Sequence, residues 1–330
     1  MGRTILVTGA GGFIGSAVTR RLVRWIEAAG VLWDGEPTEK VCALLRPGSS
    51  DERLETVRQS PALAVERGDI TDIACLQDLL DRHRPKAVLH LAFDPSGFER
   101  QSEQEWQARH LAPLEAMFEA LSRFGDARLV HTGSAWVLAS GYQLAEDARV
   151  APSLDYAKAK AKLDDALGPL HRRYGVPFVN LRLFNVFGRY EGMHRLLPHL
   201  VDCWRRGRPA RLTHGDQVRD FNDVDDIAEA YRLALLCPPA ACNAVYHIGS
   251  GRAVSVRAFA ALVRAAMGVP GEIDFDAAET RDQDVSALVC DPQLAMEALG
   301  WRPGDDLEAR IGATVEWWLA RPVQSEGAAS

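Results

Sequence analysis

The segment Arg3-Thr4-Ile5-Leu6-Val7-Thr8 is a nearly continuous apolar run that ends directly in a cluster of glycines. A short run of this kind, with β-branched residues, suits a strand covered on both faces. Beyond the glycines, Phe13, Ile14, Ala17, Val18, Leu22, Trp25 and Ile26 recur at helical spacing to about Ala29. Between strand and helix lies Thr8-Gly9-Ala10-Gly11-Gly12-Phe13-Ile14-Gly15, in which Gly9, Gly12 and Gly15 follow a G-x-x-G-x-x-G spacing. A β-carbon at these points would hinder a tight turn, the approach of a pyrophosphate, or close helix–strand packing. The helix start, from Phe13 and Ile14, offers free N–H groups and a positive dipole to phosphate. Strand, glycine turn and helix in this order predict a unit that cradles a dinucleotide.

The pattern repeats along the chain. Apolar strand candidates follow at 40–45, 62–66, 86–91, 127–132, 177–183 and 244–249, with helical patterns near 71–83, 101–124, 153–174, 255–267 and 306–319. Strand alternating with helix predicts an α/β fold, a doubly wound parallel sheet of Rossmann-like form. Residues 30–39 form a polar, turn-rich connection, longer than such units normally need. After about residue 185 the segments shorten and grow richer in Arg, Asp, Gly and Pro. The expected division is a dinucleotide domain over 1–185 with about 223–250, a smaller α/β substrate domain over about 186–222 with 251–322, and a frayed tail at 323–330.

Composition narrows the partners. A net charge of −7 disfavours bulk binding to a nucleic-acid backbone. No apolar run approaches the roughly 18–20 residues that span a bilayer, and the N-terminal run ends too soon for a signal peptide. The six cysteines lack C-x-x-C spacing and a neighbouring His cluster, which reads as reduced thiols of a cytoplasmic protein with no structural metal.

The second strand candidate ends Leu44-Leu45-Arg46-Pro47-Gly48 without a carboxylate. An acidic residue there normally accepts from the 2′-hydroxyl of NAD, whereas an arginine attracts a 2′-phosphate. Arg46 therefore favours NADP, with NAD the alternative.

Tyr156 and Lys160 in Tyr156-Ala157-Lys158-Ala159-Lys160 stand four apart and share one helical face. A tyrosine with a free pKa of about 10 must drop by about 3 units to act as a base near neutrality, and an adjacent ammonium pushes that way. Lys158 and Lys162 lack the spacing and read as solvated.

On these segments the sequence resembles the short-chain dehydrogenase/reductase superfamily, in its extended branch that acts on nucleotide sugars, over nearly the whole chain. The resemblance implies that Gly68-Asp69-Ile70 contacts adenine, with Asp69 accepting from the base, and that His90-Leu91-Ala92 runs along the cofactor. Ser134, just past the fifth strand, takes the place of the residue that hydrogen-bonds the reacting oxygen, with Thr132 the fallback; Lys160 would also bond the nicotinamide ribose. Leu181-Arg182-Leu183-Phe184-Asn185-Val186-Phe187-Gly188 opens the substrate half, with Asn185 near a sugar diphosphate. Arg219 and Arg281 match phosphate-pairing arginines, and Leu299-Gly300-Trp301-Arg302-Pro303 matches a C-terminal signature. Asp225 and Asp226 read as caps of the following helix.

The chain departs from the family pattern in places. The 4,6-dehydratases carry an acid in the two positions after the Ser/Thr, and here those are Ala135 and Trp136. Leu138 replaces a usual Tyr, and His110 a common helix Asn. The resemblance implies an oxidoreductase acting at C4 of a nucleotide-diphosphate sugar, favoured as a 4-keto-sugar reductase, with a 4-epimerase holding NAD as the alternative. A non-catalytic NADP-binding sensor or scaffold is the reading from another class. A homodimer through the helices near 101–124 and 153–174 is also implied.

Overall fold

The computed structural model describes residues 3–29, 32–33, 36–94, 102–277 and 285–322. Its main sheet holds seven parallel strands: β1 (Arg3–Thr8), β2 (Glu36–Leu45), β3 (Leu63–Arg67), β4 (Ala87–His90), β5 (Arg128–Ser134), β6 (Phe178–Leu183) and β7 (Ala244–Ile248). Their spatial order is β3-β2-β1-β4-β5-β6-β7. The chain steps outward from β1 to β3, then returns to the other side of β1 as β4. That reversal opens a crevice beyond the carboxyl ends of β1 and β4, where α/β sheets bind ligands.

The helices of ten residues or more among the described residues are α1 (Phe13–Ala29), α2 (Ile73–His83), α3 (Ala112–Ser122), α4 (Asp155–Tyr174), α5 (Leu196–Arg205), α6 (Val224–Leu236), α7 (Val256–Met267) and α8 (Leu307–Leu319). Period-two alternation in β1 explains the two layers that cover the sheet. Ile5 and Val7 enter one core with Val18 and Leu22 of α1 and Ile227 and Tyr231 of α6. Leu6 enters the other with Leu76 and Leu80 of α2, Phe118 of α3 and Leu163 of α4.

The second strand begins at Glu36, earlier than its apolar pattern suggests, because Leu32–Trp33 folds back on it antiparallel. The turn-rich connection is thus partly strand. The predicted helix near 101–124 is three consecutive pieces: Glu103–Trp106, a π-helical turn over Gln107–Leu111, and α3. Its start is fixed by a capping box between Ser102 and Glu105.

The later chain builds a smaller α/β layer. Asn185–Phe187 pairs in parallel with Phe221–Asp223, and Val218–Arg219 lies between Val254–Ser255 and Ala287–Cys290. Its core joins Phe187 and Phe221 to Phe259 of α7, Leu200 of α5 and Ile311 of α8. Ala287–Cys290 also pairs with Gly141–Leu144, which ties this layer to the segment after β5. No described helix is long and apolar enough to cross a membrane.

The helix expected to be capped by Asp225 and Asp226 is capped instead by Asp223, whose side chain accepts from Asp225 N at 2.8 Å. Asp225 and Asp226 fall in the first turn of α6, where the helix dipole favours carboxylates, and pair with Arg189 and Arg310.

Candidate active site

The glycine turn closes onto the end of β4. Gly9 has φ +70, and a β-carbon on it would stand 2.7 Å from Ala92 N. A β-carbon on Gly15 would meet Gly9 O at 2.1 Å, so the turn is as tight as the spacing predicts. Thr8 Oγ1 accepts from Ala92 N at 3.2 Å and bonds His90 Nδ1 at 2.9 Å, locking the two strand ends together. Gly12 is exposed ahead of α1 and has no side chain to cap it, leaving the first-turn amides, Phe13 and Ile14 among them, open to a ligand.

Around the turn, Leu91 packs on the first core and Ile70 on the second. Asp69 is exposed, and its Oδ1 accepts from Thr71 N and Oγ1, both at 2.9 Å. It therefore shapes a turn as well as offering a second carboxylate oxygen. Arg46 is exposed at the end of β2, and its guanidinium meets Asp94 at 3.8 Å, a loose surface pair. A crevice with open helix amides, a hydrogen-bonding carboxylate and a cation at the far strand end fits a nicotinamide dinucleotide.

At the other end of the crevice, the one-face spacing on α4 brings Tyr156 and Lys160 to the end of β5. Tyr156 shares a hydrogen bond with Ser134, which is buried and also accepts from Trp136 N at 3.3 Å. Lys160 is buried; its ammonium donates to Thr132 O at 2.9 Å and stands 4.0 Å over the Phe93 ring. Phe93 in turn meets Tyr156 edge-on at 5.4 Å, so one ring touches both members of the pair. Thr132 bonds His90 O at 2.9 Å and Tyr231 Oη at 2.6 Å, which commits it to the core and leaves Ser134 facing the phenol. Lys158 pairs with Asp155 at 2.8 Å and Lys162 with Glu103 on the surface, as their spacing suggests.

The electrostatics of this cluster are set by burial. Desolvation pushes the Tyr156 phenol above its usual value; the Ser134 hydrogen bond and the Arg195 charge pull the other way. Desolvation lowers Lys160 to about 8, against the pull of Asp164. Asp164 lies one turn further along α4 and is joined to Arg182 of β6 at 2.8 Å, with both side chains buried. His110, in the π-helical turn, is packed on Phe93 at 4.9 Å and lowered to about 4 by burial and the Lys160 charge, so it is neutral at pH 7. Leu138 is buried in the small cluster under the Ser134 loop.

Arg219 is buried, and its guanidinium lies 5.1 Å over the ring of Trp136, two residues beyond Ser134. Asn185, at the start of its short strand, is partly exposed, and its carbonyl accepts from Asn222 Nδ2 at 3.4 Å. Arg281 lies outside the described residues. Sequence reasoning missed Asp220, which is fully buried and gathers Ser250 N, Ser250 Oγ, Gly251 N and Cys290 N between 2.6 and 3.2 Å. It also missed Phe93 and the Asp164–Arg182 pair. The available signals were the place of Phe93 directly after Leu91-Ala92, and the continuation of the four-residue step from Tyr156 and Lys160 to Asp164.

The fold and this crevice define a dinucleotide-binding α/β enzyme with a Ser/Tyr/Lys cluster at the carboxyl edge of its sheet. The chain belongs to the NAD dependent epimerase/dehydratase family, whose model matches residues 5–249. It is 28% identical to a UDP-glucose 4-epimerase of Mycolicibacterium smegmatis, over 95% of this chain and 97% of the relative. A dTDP-L-rhamnose 4-epimerase of Burkholderia thailandensis is 27% identical, over 97% and 96%. Among solved structures, a dTDP-glucose 4,6-dehydratase of Streptomyces venezuelae with NAD bound superposes with a TM-score of 0.83 at 25% identity, covering 96% of this chain and 97% of that one.

Proposed function

We propose that this enzyme moves a hydride at C4 of a nucleoside-diphosphate sugar, and that its first activity is 4-epimerisation. The carrying observation is the Ser134–Tyr156 hydrogen bond with only Ala135 and Trp136 beyond it, so that an alcohol oxygen can be served and a leaving hydroxyl cannot be protonated from those positions. The named 4-epimerases among the relatives support this reading.

In this reading Ser134 holds the C4 oxygen and Tyr156 takes its proton. Lys160 supplies the positive charge that favours phenolate, and Asp164 holds that charge in place. A bound dinucleotide supplies the acceptor and donor of hydride. The sugar alcohol would thus lose its proton to Tyr156 and its hydride to the dinucleotide to become a 4-ketone, and return of both to the opposite face, once the ketosugar has turned, would give the C4 epimer. Gly9, Gly12, Phe13, Ile14, Gly15, Asp69, Ile70, Leu91 and Ala92 line the dinucleotide, while Asn185, Arg219 and Arg281 serve the sugar diphosphate. The reading carries a cytoplasmic homodimer joined through α3 and α4.

Arg219→Ala is expected to raise the KM for the nucleotide sugar about 10- to 100-fold, as loss of a charge-assisted phosphate contact does. Dinucleotide affinity is expected to stay unchanged in a direct titration. A normal sugar KM would remove Arg219 from the substrate site.

Arg46 favours a second reading, a 4-keto-sugar reductase using NADP. Arg46→Asp is expected to move the ratio of kcat/KM for the two dinucleotides at least about tenfold toward NAD; an unmoved ratio discards the assignment. Denaturing the purified protein and identifying what it releases by mass separates the two. Tightly held NAD, with interconversion of C4 epimers, supports the epimerase; NADP or an empty crevice, with reduction of a 4-keto sugar only, supports the reductase. Formation of a 4-keto-6-deoxy sugar from either starting material would contradict both.

A further inference from the structure

A second cavity, of about 530 Å³, opens along the face of α1 that carries Arg20, Arg21 and Arg24. Arg189 and Arg310 reach it from the opposite wall. Five arginines thus meet two carboxylates, Glu55 and Asp225, in a chain whose net charge is −7. None of its lining residues belongs to the glycine turn, the Ser134–Tyr156–Lys160 cluster or the Arg219 loop.

The arginines are unevenly satisfied. Arg21, Arg189 and Arg310 each hold a carboxylate, on Glu229, Asp225 and Asp226. Arg20 does not. It is 6% exposed, donates from Nη1 to Arg53 O at 2.5 Å and lies 4.7 Å over the ring of Tyr190, with no carboxylate in ion-pair range among the described residues. Arg24 has a single hydrogen bond, to Thr56 Oγ1 at 3.3 Å. A buried guanidinium without a paired anion is costly, and burial lowers Arg20 to about 10 against the more distant pull of Asp225.

The aromatic walls are equally built. Tyr190 has φ +69, an unfavourable backbone for an aromatic residue. It is held there by a hydrogen bond from its hydroxyl to Glu55 at 2.7 Å and by packing against Trp317 at 4.5 Å. Trp25 lines the cavity as well. Arg321 already lies over Tyr190 at 4.7 Å and Trp317 at 3.9 Å, and Arg232 over Trp25 at 5.0 Å, which adds cations beside these rings. Unspent guanidinium donors of Arg20 and Arg24 beside such aromatic walls match a phosphate group carried on a small organic body.

We propose that this cavity is a binding site for a phosphorylated small molecule, whose phosphate oxygens are taken by Arg20 and Arg24 and whose body lies along Trp25, Tyr190 and Trp317. The phosphate chemistry is shared by a bare phosphoanhydride and by a nucleotide. Calorimetric titration with inorganic pyrophosphate, then with uridine monophosphate, separates them: tighter pyrophosphate assigns the site to bare phosphates, tighter uridine monophosphate to a nucleotide.

The variants decide whether the site exists. Binding is expected to weaken at least tenfold in Arg24→Gln and in Arg20→Met, and to survive in Arg219→Ala, which touches only the sugar-nucleotide region. Arg24 is exposed, so Arg24→Gln keeps the fold, and its turnover is expected to stay normal even if Arg20→Met is unstable. Absence of binding by wild type at millimolar probe, affinity unchanged in Arg24→Gln, or binding lost in Arg219→Ala each overturns the proposal.

Discussion

Tyr156→Phe is expected to lower kcat by at least about 10³-fold while leaving dinucleotide affinity within about twofold of wild type, since a positioned proton-transfer group contributes about 10²–10⁴ in rate. The hydroxyl is the atom lost; the ring stays and keeps its edge contact with Phe93 at 5.4 Å. Stopped-flow turnover and a separate cofactor titration check the two halves. Near-normal turnover would remove Tyr156 from the chemistry. The pH profile should carry the mark of Lys160, which burial lowers to about 8. Activity that depends on its charge falls as pH rises through that value. The same shift has a stability consequence: because the folded value is below the ordinary one, the penalty for burying the charge is present below about pH 8 and is relieved as pH climbs toward about 10.4, the free lysine value.

Asp220→Ala should be the most destabilising single change in the smaller α/β layer. One carboxylate accepts from three backbone N–H groups and the Ser250 hydroxyl, and in doing so holds the strand of Arg219 to the Ser250–Gly251 turn and to Cys290. Each buried donor left without a partner costs about 1–3 kcal/mol, so a loss above ~3 kcal/mol is expected in denaturant unfolding. Asp225→Ala, at a surface pair with Arg189, is expected to cost under about 1 kcal/mol. Equal losses for the two variants would contradict the role given to Asp220.

The first half of the molecule was legible because its signals are local. The run from Arg3 to Thr8, the three glycines and the stripe from Phe13 to Ile26 each state their structure within a few residues, and β1 and α1 form where that pattern places them. Strands covered on both faces, such as Ala87–His90, announce themselves as short runs that are apolar up to their last residue. The smaller layer speaks through pairings of strands mostly two and three residues long. Val218–Arg219 is a strand only because Val254–Ser255 and Ala287–Cys290 flank it from far along the chain. Helix α5 was passed over because the Arg-rich segments around it hid its apolar stripe, buried through Leu200, whereas α6 was expected only as the helix that follows Asp225 and Asp226.

In the crevice, spacing pointed to Tyr156 and Lys160 and resemblance to Ser134 and Arg219; the structure brings Tyr156 against Ser134 and lays Arg219 over Trp136. Neither could show that Phe93 touches both members of the pair, because that contact joins the segment after β4 to α4. Nor could they show the direction of the Tyr156 shift. Adjacency on a helix suggested a lowered phenol, whereas burial raises it in the protein alone. In the proposed function, the lowering that Tyr156 needs as a base is therefore expected from the positive charge of an oxidised nicotinamide acting together with Lys160.

That coupling is open to one direct measurement: phenolate absorbance titrated in wild type and in Tyr156→Phe, with and without saturating oxidised dinucleotide. The difference between the two proteins should show a phenol titrating above about 10, the free tyrosine value, in the protein alone, and at least about 2 units lower once the dinucleotide is bound. A Tyr156 signal that does not move on cofactor binding would contradict the account.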